Sequence, residues 1–271
     1  VTASINNSSL SRDVTFVADV RTAKIADLVV IKDGSEADGS TANTLQVRGT
    51  DAFGNALAGQ TVSVLADNGA TVAPTVTTQP DGTVEISVTS QTAGVSAVTA
   101  TINSSTQSQN VTFIADVRTA KIADLVVIKD GSEADGSTAN TLRARVTDAF
   151  GNALAGQAVS VMAGNSATVT PTVTTQSDGT VEFSVTSQTA GTSTVTASIN
   201  SSSLSRDVTF IADVRTAQIA VLEVTQDYAV ADGSTANTLR ARVTDAFGNA
   251  LGGQTVSVTA DNSAMVASTV I

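Results

Sequence analysis

Cysteine, histidine and tryptophan are absent from this 271-residue chain, and aromatic residues make up 3% of it. Without Cys or His there are no zinc sites built on those ligands, no thiol redox chemistry and none of the usual nucleophile–histidine triads. The Cys-Trp-Cys core of antibody-type domains is excluded with them. No apolar run approaches the roughly 18 residues of a membrane-crossing helix, and Val1 does not open a signal peptide. The chain therefore reads as a soluble interior piece of something longer, with no membrane insertion of its own. Charged residues are scarce at 14%, and the net charge of −11 leaves no electrostatic case for nucleic acid or an anionic membrane surface.

Thr, Ser, Val and Ala fill the space that the missing residues leave, a β-rich composition of small side chains. Asp51, Asp148 and Asp245 each open an Asp-Ala-Phe-Gly-Asn string, 97 residues apart both times. The whole sequence keeps that period. Val1–Asp19 is the tail of one copy, Val20–Asp116 and Val117–Asp213 are whole copies, and Val214–Ile271 opens another that stops opposite Thr174. The two whole copies differ at 17 of 97 positions. Such near-identity favours a role in which the number of units matters. A 97-residue unit can bury its own core, so the chain is expected to be a string of domains and not a solenoid. The copy Val20–Asp116 carries four cations and nine carboxylates, so acidity is spread along the array.

Hydrophobic residues alternate with period two almost everywhere, the mark of half-buried antiparallel strands. In Val20–Asp116 the predicted strands are Ile25–Ile31, the segment around Leu45 and Val47, and the segment around Val62 and Val64. Next come Thr71–Thr78 and three segments with inner faces Val84/Ile86/Val88, Val98/Ala100/Ile102 and Val111/Phe113/Ala115. Pro74 makes Thr71–Thr78 an edge, and the broken phase between Ile25 and Leu28 predicts a bulge or a switch of sheets. No segment holds a 3.6-residue period over ten residues. The fold class is all-β: tandem immunoglobulin-like sandwiches of about seven strands.

Several motifs in fixed order carry a family resemblance. Thr50–Val64 recurs as Thr147–Val161 and Thr244–Val258, and is followed by Asp81-Gly82-Thr83-Val84, Thr92-Ala93-Gly94 and Val98-Thr99-Ala100. This resembles the bacterial Ig-like domain of the intimin/invasin family, over the whole chain and in register. The resemblance implies tandem domains outside an outer-membrane β-barrel, projecting a tip adhesin from the bacterial cell surface. Neither barrel nor tip is in this sequence, so the implied part is a stalk segment.

Candidate sites are few. Two carboxylates could cleave a glycoside, but nothing in the repeat favours one pair, and no enzyme is expected. Asp33–Gly39, the most acidic run, recurs at Asp130–Gly136 and fails the EF-hand pattern. It reads first as a solvated loop of Asp-Gly turns. Gly54-Asn55 reads first as a turn, since both residues tolerate positive φ. Lys24 and Lys121 invite the idea of an isopeptide cross-link, but their third counterpart is Gln218. Sequons at Asn7, Asn103, Asn110 and Asn200 follow from a Ser/Thr-rich chain.

Alternating strand direction places the acidic loop of one copy near the Asp-Ala-Phe-Gly-Asn loop of the next. The expectation is a fixed inter-domain contact made by Phe150, Val117 and Arg118, because a Phe in a polar loop is hard to explain as solvated. A secondary expectation is Ca²⁺ held there by Asp33, Asp38, Asp116 and Asp148; no other cofactor is expected. The predicted partners are neighbouring repeats, with a host surface receptor or self-association beyond them. Two functions follow: a spacer that holds a distal adhesin away from the cell, or repeats that themselves bind a host protein, a glycan or one another between cells. Low aromatic content favours the spacer. The incomplete copies, lacking partner strands, predict ends that are disordered or paired with another chain.

Overall fold

A computed structural model describes residues 1–271. The chain divides into two compact units, Val1–Arg118 and Thr119–Ile271.

The first unit starts with a hairpin of β1 (Thr2–Ile5) and β2 (Ser8–Ser11). A 3₁₀ turn, Val20–Thr22, leads to β3 (Lys24–Lys32), β4 (Ser35–Glu36), β5 (Asn43–Thr50), β6 (Thr61–Ala66) and β7 (Thr71–Val72). The chain continues through β8 (Thr75–Thr77), β9 (Thr83–Thr89), β10 (Gly94–Ile102) and β11 (Ser105–Ile114). Two sheets form, β3-β5-β9-β7 and β4-β11-β10-β6-β8. All pairs are antiparallel except the short β4, which runs parallel to the end of β11.

Period-two patterning decides which faces meet. Leu45, Val47, Val84, Ile86 and Val88 from one sheet share a core with Val62, Val64, Val98, Ala100, Ile102, Val111 and Phe113 from the other. Each fully buried Val, Leu or Ile contributes roughly 1.5–3 kcal/mol. With so few aromatics, one Phe enters this core: Phe113 is fully buried, as is its counterpart Phe210 in the second unit. Buried Asn43 closes the end, accepting from Ser35 N at 3.0 Å and donating to Thr112 O at 2.9 Å.

The predicted bulge is present: Ile25 pairs with Gly49 but Asp27 with Arg48, so Ala26 is the extra residue and Ile25 and Leu28 both turn inward. Two strand expectations need correction. Thr71–Thr78 is not one edge strand; β7 joins β9 in one sheet and β8 joins β6 in the other. Pro74 sits at the switch, where it has no N–H to offer a ladder while its carbonyl accepts from Val64 N at 2.9 Å. Ala115 lies past the end of β11 and is only half-buried, because the chain is already turning toward the linker.

In the second unit, Lys121–Ile211 repeats both sheets in the same order. The partial copy that follows pairs Gln218–Gln226 with Thr238–Thr244 and Val256–Ser257 with Thr269–Val270. Its Leu222 and Leu239 are exposed, whereas their counterparts Leu125 and Leu142 are fully buried. Both partial copies keep their local pairings, since neighbouring antiparallel strands need no distant segment to find each other. Their apolar faces stay open.

Gly82 turns the chain between β8 and β9 at φ +79°, and a Cβ there would stand 2.7 Å from Gly49 O. Both the left-handed backbone and the backbone clash oppose a side chain. Gly82→Ala is expected to destabilise the first unit by at least ~1 kcal/mol, measured as a lower urea midpoint at an unchanged slope.

Candidate functional site: the Asp loop and the repeat junction

The Asp-Ala-Phe-Gly-Asn loop is built around its own carboxylate. Asp51 is buried, and its Oδ1 accepts from Phe53 N and Asn55 N at 2.9 Å each. Its Oδ2 accepts from Asn55 Nδ2 at 2.9 Å and from Asp19 N at 3.2 Å. Gly54 supplies the positive φ, +89°, that closes the turn. One anion thus satisfies three donors within the loop and one in the linker before it. The Asn55 side chain first, together with the backbone N–H groups, outweighs the cost of burial and holds the Asp51 carboxyl down to about 2. Asp148 and Asp245 repeat the loop with Phe150 N and Asn152 N, and with Phe247 N and Asn249 N, all at 2.9 Å.

The second unit contains a junction between a whole copy and the start of the next, and there the loop reaches outward. Asp245 Oδ2 accepts from Asp213 N, the last residue of the preceding copy, at 3.2 Å. Asn249 Oδ1 accepts from Ala190 N at 2.8 Å and its Nδ2 donates to Gln188 O at 2.9 Å. Gln188–Ala190 is the turn that enters Gly191–Ile199 of the preceding copy. Arg215, in the linker turn Val214–Thr216, donates from Nε to Asp213 Oδ1 at 3.0 Å and from Nη2 to Glu133 Oε2 of the acidic loop. Thr216 Oγ1 donates to Asp213 O and accepts from Ala246 N, both at 3.1 Å. Three points of the preceding copy are therefore engaged: its last residue, its Gln188–Ala190 turn and its acidic loop.

Phe247 shows the effect of that engagement. It is 47% exposed, while Phe53 in the same loop conformation of the first unit is 89% exposed. The copy around Phe247 has fewer strands of its own, so the extra cover comes from the preceding copy. Phe150 is likewise 47% exposed, in its loop's tip and outside the core. Arg118 donates to Glu36 Oε2 and, at 2.9 Å, to Asp116 Oδ1, within the first unit. Val117 is half-exposed beside it.

The carboxylates suggested for Ca²⁺ are each engaged by donors close at hand. Asp33 Oδ1 accepts from Thr112 N at 2.6 Å; Asp38 accepts from Ser40 and Thr41; Asp116 accepts from Arg118; Asp148 accepts from its own loop. Thr41 and Ser40 hold the Asp38 carboxyl well below the usual carboxylate range. No group of three or more acidic side chains is arranged to hold a metal ion.

The model of the bacterial Ig-like domain (group 1) matches residues 25–114, 122–211 and 219–271. The chain belongs to that bacterial Ig-like family. It is 34% identical over 273 residues to the inverse autotransporter adhesin YeeJ of Escherichia coli (strain K12), covering 96% of this chain and 12% of YeeJ. The chain thus spans about an eighth of that relative's length. Among solved structures, Yersinia pseudotuberculosis InvD matches with a TM-score of 0.57 at 18% identity, over 86% of this chain and 73% of InvD. Invasin, described as a bacterial integrin-binding protein, matches at 29% identity and a TM-score of 0.43, over 84% of this chain and 48% of its own.

Two elements of this bacterial Ig-like junction escape a reading of the sequence. Asn249 does more than turn the chain, and Gln188–Ala190 takes part through main-chain atoms, which no residue identity reveals. A signal was present: an Asp and an Asn four apart, each with more hydrogen-bonding capacity than one turn consumes.

The depressed carboxyl of Asp51 makes the loop sensitive to acid. Its folded value of about 2 lies below the ordinary 3.8, so the unfolded chain binds more protons at intermediate pH and stability rises with pH. The loop's contribution is expected to be complete above about pH 5 and lost as pH falls from about 4 to 2. Urea midpoints across that range check this. Asp51→Asn is expected to lower the midpoint at neutral pH and to flatten the dependence.

Proposed function

We propose that this segment is a spacer in the stalk of a bacterial surface adhesin, where repeated Ig-like units hold a distal binding domain away from the cell. The observation that carries the reading is the junction in the second unit. A buried Asp and a half-buried Asn of one copy engage the main chain of the copy before it, so each added unit arrives with its own joint. Membership of the bacterial Ig-like family and likeness to an inverse autotransporter adhesin support the reading. So does a surface poor in aromatic side chains, which offers no strong hot spot or sugar-stacking platform. The place of action follows as the extracellular face of the cell, with attachment through an outer-membrane barrel elsewhere in the protein. The role is mechanical.

Two measurements test the proposal. In the whole protein, in-frame deletion of residues 117–213 is expected to leave surface display and binding by the distal end intact while shortening its reach. Loss of adhesion in proportion to repeat number, with the distal end intact, would point to repeats that bind directly.

Joint stiffness is tested separately. The chain lacks Cys, so spin labels at Ser205→Cys and Thr225→Cys report one junction cleanly. A narrow distance distribution is expected, broadening markedly in Asn249→Ala/Arg215→Ala. An unchanged width would remove the side-chain joint from the account.

A further inference from the structure

Only half of the β3 edge is guarded. Its first half is covered by β11, where Ser105 Oγ accepts from Ile25 N at 3.1 Å and Gln107 Nε2 donates to Ala26 O at 3.3 Å. Its second half is bare and apolar: Val29 and Ile31 are 50% and 56% exposed. The second whole copy repeats this, with Ile128 exposed and Val126 half-buried.

The partial copy shows that the pairing of this strand with its neighbour does not require these residues. At the corresponding positions it has Glu223 and Thr225, in a strand that pairs with the same register and the same two shifts. Glu223 there takes an ion pair with Arg240 at 2.8 Å, the ordinary use of an exposed strand position. Leu65 and Met162, exposed on the other sheet, likewise become Thr259. Apolar side chains kept at an exposed edge, where the same strand pairing accepts Glu and Thr, mark a surface for association.

Charge identifies the occupant. Asp27, Val29 and Lys32 pair with Arg48, Gln46 and Thr44, alternate residues of β5, because the shift at Ile31 returns Lys32 to the outer face. An antiparallel copy of this edge centred on Val29 sets Asp27 of each strand against Lys32 of the other, with Val29 against Val29 and Ile31 beside it. The edge is self-complementary in charge and apolar at its centre. Lys129 and Asp124 flank Ile128 in the same way.

We propose that the edges at Val29/Ile31 and Val126/Ile128 are lateral self-association surfaces on which a second copy of this chain docks antiparallel. This goes beyond the spacer reading and does not depend on it.

The full chain tests it. Val29→Cys, which this register sets against itself, is expected to form an intermolecular disulfide at least about tenfold faster than Thr75→Cys, an exposed position on the edge of the opposite sheet. In sedimentation velocity the parent chain is expected to dimerise with concentration. The variant Val29→Glu/Ile31→Thr/Val126→Glu/Ile128→Thr, which installs the partial copy's own residues, is expected to stay monomeric with an unchanged melting temperature. Equal cross-linking rates overturn the proposal, as does association that survives the fourfold variant. The latter would assign association to the open faces of the partial copies.

Discussion

A buried carboxylate with four donors is the interaction on which the rest of this architecture depends. Asp51 and Asp245 could not be buried alone, because desolvating an unpaired anion is prohibitive. The loop supplies two main-chain N–H groups and an Asn amide, and the linker supplies one more N–H. Loop and linker are therefore ordered by the same charge. Because the linker residue is the last of the preceding copy, the loop of one copy also orders the end of the copy before it.

The joint contains contacts of unequal weight. Arg215 bridges Asp213 and Glu133, but its side chain is 64% exposed, and ion pairs so open to solvent are screened and worth little. The Asn249 amide contacts involve main-chain atoms at a half-buried site, where unmade hydrogen bonds are costly. Burial of one face of Phe247 adds area to the same place. Asn249 and Asp245 therefore set the geometry, and Arg215 with Glu133 adjusts it.

Much of the fold was legible because small β-branched residues in strict alternation leave little choice. Val62/Val64, Val84/Ile86/Val88 and Val98/Ala100/Ile102 all point inward as their spacing requires. Even the bulge was visible, as a phase break between Ile25 and Leu28. The division of Thr71–Thr78 between two sheets was not, since alternation says which residues share a face but not which sheet a strand joins. The short β4 has too few residues for any period to register. At the candidate site, the turn Gln188–Ala190 that meets Asn249 was not legible, because it contributes backbone groups that every residue possesses.

Contact through backbone groups also governs how the array is assembled. A contact made by Asn249 to the carbonyl of Gln188 and the N–H of Ala190 constrains backbone position and leaves those side chains free. The 17 differences between the two whole copies spare Asp51, Phe53, Asn55, Glu36, Gln91 and Ala93. They fall instead on strand surfaces, such as Thr101 and Gln107, in loops, such as Asp67 and Pro80, and at the core positions Val47, Gly49 and Ile86. Copies can thus diverge over their faces without altering the joint. A joint that reads backbone is also indifferent to which copy precedes it, so units can be added or lost without redesigning the interface. Near-identical repeats of variable number are what such a joint permits physically, and the faces left free to vary are where any binding specific to one copy would arise.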